Sequence, residues 1–153
     1  MFVRHVPRRV QYYLVNARYE LFDHTADMGI RIFAPTMGGL VEPASQGLYA
    51  VIGELASRGG AEPVSFDLTG NDPAVLLRDY LGELLLLLEV DGRIVTRAQV
   101  TTFANGRLAV EAQAAPVDDE ESIYAREVKA ITYHELEIRE IPGGYQATVI
   151  VDI

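Results

Sequence analysis

Cysteine is absent from the 153 residues. Its absence excludes disulfides, thiolate metal sites and a cysteine nucleophile, and it accords with a cytoplasmic location. Long apolar runs are also missing. The longest, Leu84 to Leu88, lies between Glu83 and Glu89 and falls far short of the roughly 20 residues of a membrane span. No membrane association is expected from it. A secretory leader is not expected either, because Pro7 and Gln11 interrupt the basic start and no small-residue cleavage site follows. Positive charge is scarce, with 13 Lys and Arg against 22 Asp and Glu and a formal charge of −9. A chain so balanced does not hold a polyanion through its overall field, so any nucleic-acid contact would be local or run through a partner. The acid excess favours cations, basic proteins or plain solubility. Ser45, Ser57, Ser65 and Ser122 lack a nucleophile-elbow context. There is no His-Glu-x-x-His pattern, and Gly38-Gly39 is not a phosphate loop.

Apolar residues make up 49% of the chain, enough to fill one core. Residues 1–18 read as a basic tail (Arg4, Arg8, Arg9, Arg18), with Tyr12-Tyr13-Leu14-Val15 as a short extra strand; residues 19–153 read as one domain. Tyr19 to Asp23 and Met28 to Ala34 read as strands, the second with Met28, Ile30 and Ile32 alternating with smaller or polar neighbours. Thr36 is placed to cap a helix whose apolar face runs from Leu40 to Leu55, and Pro43 predicts a kink or a late start near Glu42. Pro63 to Thr69 reads as a strand. Asp72-Pro73 is a helix start, and Leu77, Tyr80, Leu81, Leu84, Leu85 and Leu88 give that helix a broad apolar face before Asp91-Gly92 turns the chain. A hairpin is expected around Asn105-Gly106. After an acidic loop over residues 116–122, two strands close the chain, Glu127 to Glu140 and Tyr145 to Asp152. The sum is an α+β, two-layer arrangement: two helices on one mixed, largely antiparallel sheet of six or seven strands.

Three groups of residues have chemistry to offer. Asp23, His24 and Asp27 lie between the first two strands, where residue type alone favours reading the aspartates, Asp23 above all, as turn residues that accept backbone N–H bonds. Asp152 ends the apolar run Val149-Ile150-Val151, and a carboxylate ending such a strand requires water, a cation or donor groups. Ile153 follows, and its free carboxylate adds another hard oxygen ligand of the kind that attracts calcium or magnesium. Lys129 stands among apolar neighbours, free to face solvent, pair with a carboxylate or bind a phosphate. His134 follows in the same segment, where a lone histidine is more often packed or hydrogen-bonded than a ligand.

In order, these segments resemble the archease family. The carriers are Asp23-His24-Thr25-Ala26-Asp27, then Val128-Lys129-Ala130-Ile131-Thr132-Tyr133-His134, then the closing Val151-Asp152-Ile153. The match runs from about Tyr19 to Ile153. Archeases activate the GTP-dependent RNA ligase of tRNA splicing and RNA repair; they promote its guanylylation and repeated turnover and are not known for chemistry of their own. The resemblance implies a non-enzymatic accessory protein whose partner is that ligase, with RNA contacted only indirectly. It implies metal ligation by Asp27, Asp152 and Ile153, with Asp23 and His24 behind them and Lys129 and His134 near the same tip. The cation implied is calcium, with magnesium or manganese as alternatives on oxygen-ligand chemistry. Oligomeric state is left open, a homo-oligomer included. Three departures stand out: Pro43 where the first helix usually continues, Val151 where phenylalanine is common, and the basic tail. A general chaperone or adaptor, a metal-dependent phosphoester hydrolase and a binding module with a purely structural metal are the competing readings.

Overall fold

The structure is a computed structural model and describes residues 14–153; the basic run at Arg4, Arg8 and Arg9 and the expected strand at Tyr12-Tyr13 lie outside the described residues. Residues 14–17 carry no regular structure, although the Val15 amide donates to the Gly143 carbonyl at 3.1 Å. Arg18, assigned to the tail by its charge, opens the first strand. The elements in chain order are β1 (Arg18–His24), β2 (Asp27–Ala34), α1 (Val41–Ile52), β3 (Gly53–Glu54), β4 (Glu62–Thr69), α2 (Pro73–Asp91), β5 (Arg93–Ala104), β6 (Arg107–Pro116), β7 (Ile123–Tyr124), β8 (Ala130–Ile131), β9 (Glu137–Ile141) and β10 (Gly144–Asp152).

The helices form where the sequence places them. The Asp72 side chain accepts the Ala74 amide at 2.9 Å, and Pro73 occupies a position whose N–H would have no partner anyway. At the far end of α2, Gly92 takes a left-handed conformation with φ 61° and its amide returns to the Leu88 carbonyl. Thr36 Oγ1 accepts the Gly39 amide at 3.0 Å and caps a short 3-10 turn, Gly38–Leu40, that leads into α1. Pro43 therefore falls in the first turn of α1, where no intrahelical N–H is lost, and neither kinks nor delays the helix. Leu55, expected on that helix, lies beyond it, because α1 ends at Ile52 and Gly53 passes against the Ile123 carbonyl where a Cβ would collide.

The single sheet is replaced by three. β1, β2, β10 and β8 form one in that order, with β9 also on β10; β4, β6 and β5 form a second; β3 and β7 form a small third. Every strand pair among the described residues is antiparallel, so the sheet is not mixed. Both helices touch both larger sheets, and one core joins them. Ile30 and Ile32 of β2, Val149 of β10, Leu48 of α1, Leu77 and Leu81 of α2 and Leu108 of β6 meet there with no solvent exposure. The α+β class holds; the split follows from two apolar strand sets that each need an apolar cover, which the buried helices supply to both. The expected strand Glu127 to Glu140 is also broken. Only Ala130–Ile131 and Glu137–Ile141 pair with β10, and a turn over residues 133–136 separates them. Asn105-Gly106 forms the expected hairpin turn, with φ of 52° and 75°. No helix among the described residues is long and apolar enough to cross a membrane.

Tyr80 ties α2 to its neighbours. Its ring meets Phe66 edge-on at 5.3 Å, and its hydroxyl lies 3.0 Å from Ser45 Oγ, which itself donates to the Val41 carbonyl. Burial pushes the hydroxyl up to about 12, against the smaller opposing pull of the Ser45 hydrogen bond. Because the folded state holds this proton more tightly than the unfolded chain, the stabilisation is complete below pH about 10 and is lost as pH rises towards about 12. Stability in urea should fall over that window, and Tyr80→Phe should flatten the fall; an unchanged alkaline limb would refute the assignment. The two mid-helix glycines make a second test. A Cβ on Gly47 would sit 2.7 Å from Ile30 Cγ2 and 3.3 Å from Tyr19 Cγ, whereas one on Gly82 would meet nothing within 4 Å. Gly82→Ala should stabilise by about 0.5–1 kcal/mol. Gly47→Ala should destabilise by about 1–2 kcal/mol, because overpacking outweighs the helix propensity gained.

Candidate metal and partner site at the sheet end

Strand pairing carries His24, Asp27 and Asp152 to one place. In β1–β2, His24 pairs with Asp27 across the turn Thr25-Ala26; in β2–β10, Asp27 pairs with Asp152; in β10–β8, Asp152 pairs with Ala130. His24, Asp27, Asp152 and Ala130 thus form one row across the end of the sheet. Residues directly opposite share a face with Cβ atoms about 4.5–5.5 Å apart. The row therefore sets two carboxylates side by side, and facing like charges are destabilising without a counter-charge. Asp27 and Asp152 are both half-buried, and Ile153, the next residue after the row, is half-buried against the core.

The same register sorts the other sequence candidates. Asp23 pairs with Met28, one position off the row. Side chains alternate along a strand, so Asp23 belongs to the opposite face from His24 and Asp27. The Lys129 amide donates to the Asp152 carbonyl at 2.8 Å, which places its backbone beside the row. Its side chain is exposed and has no ion-pair partner among the described residues.

His134 reaches the row through the turn that breaks the expected strand. Thr132 Oγ1 donates to the Ile150 carbonyl at 2.8 Å and accepts the His134 amide at 3.2 Å. Glu135 then takes φ 52°, as Ala26 takes φ 67° in the β1–β2 turn. Non-glycine residues in this region are disfavoured by roughly 1–2 kcal/mol. Two of the three such residues among those described lie in these two turns, which face one another. Their effect is to bring the His24 and His134 rings to a centroid distance of 5.2 Å. Glu135 lies between them, with Oε2 at 3.5 Å from His24 Nε2 and Oε1 at 3.7 Å from His134 Nε2. The other His24 nitrogen, Nδ1, is buried without a hydrogen-bond partner and stands 3.9 Å from Asp27 Oδ2. Sequence reasoning passes over Glu135. The only signal is an acidic residue directly after His134, and nothing local announces a turn there.

The profile of the Archease protein family matches residues 19–153. Protein archease of Methanosarcina barkeri is 34% identical over 140 residues, covering 89% of this chain and 96% of its own length. Protein archease of Methanosarcina mazei is 33% identical over the same extent. Among solved structures, protein 1598 of Methanobacterium thermoautotrophicum shares the fold with a TM-score of 0.69 at 24% identity, over 88% of this chain and 98% of that one. An archease from Thermotoga maritima, described as a possible chaperone, superposes with a TM-score of 0.65 at 18% identity, over 86% and 94%. Together with a family match that spans nearly all of the described residues, these relatives establish that the chain belongs to the archease family.

Proposed function

We infer that this protein is a non-catalytic activator of a GTP-dependent RNA ligase, and that Asp27, Asp152 and a main-chain oxygen of Ile153 hold a divalent cation needed for that action. The observation that carries the reading is the register pairing of Asp27 with Asp152, directly before Ile153. All the donors are hard oxygens, which suits calcium, magnesium or manganese rather than metals that prefer sulfur. A bound cation would neutralise the facing carboxylates and give the sheet end a shape that a partner can read. Lys129, exposed and beside Asp152, supplies a positive charge at the rim that can meet a phosphate or a carboxylate of the partner. His24 supports Asp27 from the neighbouring strand. The net charge of −9 directs the contact to the ligase rather than to bare RNA.

Two outcomes test this. In multiple-turnover ligation with a cognate ligase, Asp27→Asn or Asp152→Asn should lower stimulation by at least about tenfold, a loss of about 1.4 kcal/mol, with an unchanged circular dichroism spectrum. Full stimulation by both variants would overturn the reading and favour the general chaperone role, which needs no carboxylates. Phosphoester turnover by the purified protein alone would favour a hydrolase. The stabilities of wild type and Asp152→Asn should also cross. In chelator the variant should equal or exceed wild type, because a like-charge pair is removed. At calcium concentrations near a hundred times Kd, wild type should gain about 2.7 kcal/mol that the variant lacks. Equal calcium responses would remove Asp152 from the ligand set.

A further inference from the structure

We propose that His24, His134 and Glu135 form a second cation site, beside the Asp27–Asp152 pair and suited to a transition metal ion such as zinc. Two imidazoles and one carboxylate are the donor set of zinc and related first-row ions, whereas calcium and magnesium take oxygen. The spacing fits. One atom from each of the three residues can be chosen so that all lie within 4.8 Å of one another. Ligands about 2.1 Å from a tetrahedral ion stand about 3.4 Å apart. Glu135 approaches that value through a different oxygen for each ring, Oε2 at 3.5 Å from His24 Nε2 and Oε1 at 3.7 Å from His134 Nε2. Closure around one ion thus takes both carboxylate oxygens, or a turn of the Glu135 carboxylate that brings one oxygen towards both rings.

A second observation concerns the unused nitrogen of His24. A metal-bound histidine usually donates its other N–H to a carboxylate or carbonyl, which fixes the tautomer and turns the ring towards the ion. In His24, Nε2 faces Glu135, and Nδ1 is buried without a hydrogen bond, 3.9 Å from Asp27 Oδ2, a gap that a small movement would close into one. Metal on Nε2 would place the proton on Nδ1, 3.9 Å from the Asp27 carboxylate. The ligands also come from separate, well-fixed segments. His24 ends β1, and His134 and Glu135 sit on the turn anchored through Thr132 to the Ile150 carbonyl. The His134 and Glu135 side chains are 61% and 53% exposed and His24 only 24%, so the site opens to one side. Three protein ligands and an open position leave room for water or for a ligand from a docked partner.

The inference does not rest on the ligase reading, and its test is independent of ligation. Full-length protein, stripped with chelator, is titrated with Co²⁺ while visible absorption is followed, and with Zn²⁺ by calorimetry. One equivalent should bind with micromolar or tighter affinity, and cobalt should give the intense visible bands of a four-coordinate site. His134→Ala, at an exposed position, should weaken Zn²⁺ binding by about 10–100-fold or more, and Glu135→Gln by about tenfold. Asp152→Asn, which lies outside the proposed ligand set, should retain the zinc site, and millimolar calcium should not displace the ion. Unchanged Zn²⁺ affinity in His134→Ala would overturn the proposal. So would loss of Zn²⁺ binding in Asp152→Asn equal to that in His134→Ala, since a single shared site would then account for both metals.

Discussion

The pairing of β10 with its neighbours is the constraint on which the rest of the structure depends. β10 runs beside β2 on one side and beside β8 and β9 on the other, so its backbone donors and acceptors are used along both edges. Its residues 147–151 are all buried. An antiparallel register cannot slip by one residue without moving Val149 and Val151 out of the core, and that penalty fixes which residue faces which. The opposition of Asp27 and Asp152 is therefore a by-product of core packing. The charged row at the sheet end costs free energy, and the buried strand behind it holds the row in place.

The same logic accounts for how the tip is assembled. Four strand ends meet there, and each contributes its last or first paired residue: His24 from β1, Asp27 from β2, Asp152 from β10 and Ala130 from β8. Two turns with disfavoured backbone at Ala26 and Glu135 then aim imidazole and carboxylate groups across the end of the sheet. Strain of this size persists only when surrounding structure holds it, and here the strand ladder and the Thr132 anchor do so. The tip thereby presents two donor chemistries side by side, one of oxygens and one of imidazoles, with His24 belonging to the second and facing the first.

Membership of the archease family and the local geometry answer different questions. The family match spans the domain and its relatives align over nearly their whole length, which fixes the fold and the kind of protein. The geometry says which side chains can act together. It brings Asp27 and Asp152 into one row, places Lys129 beside them by its backbone, and gathers His24, His134 and Glu135. It sets Asp23 on the other face, although in sequence Asp23 is as close to His24 as any residue can be.

Local chemistry made much of this legible. Asp72-Pro73 and Gly92 bound α2, Asn105-Gly106 turns the hairpin, and the alternation of Met28, Ile30 and Ile32 marks β2, because capping, left-handed turns and strand alternation each depend on residues close in sequence. The motif residues at the two ends of the chain were also readable as chemically apt. The chain by itself did not reveal the division into separate sheets, since an apolar helix surface does not state how many sheets it covers. Nor did it reveal the turn at Glu135, whose backbone is held by Thr132 and Ile150 rather than by its own propensity. The sequence determined the elements and the donor groups. Only tertiary structure decided that residues 27 and 152 face one another and that Glu135 bridges two histidines, because register and turn geometry are set by burial of strands that lie far apart along the chain.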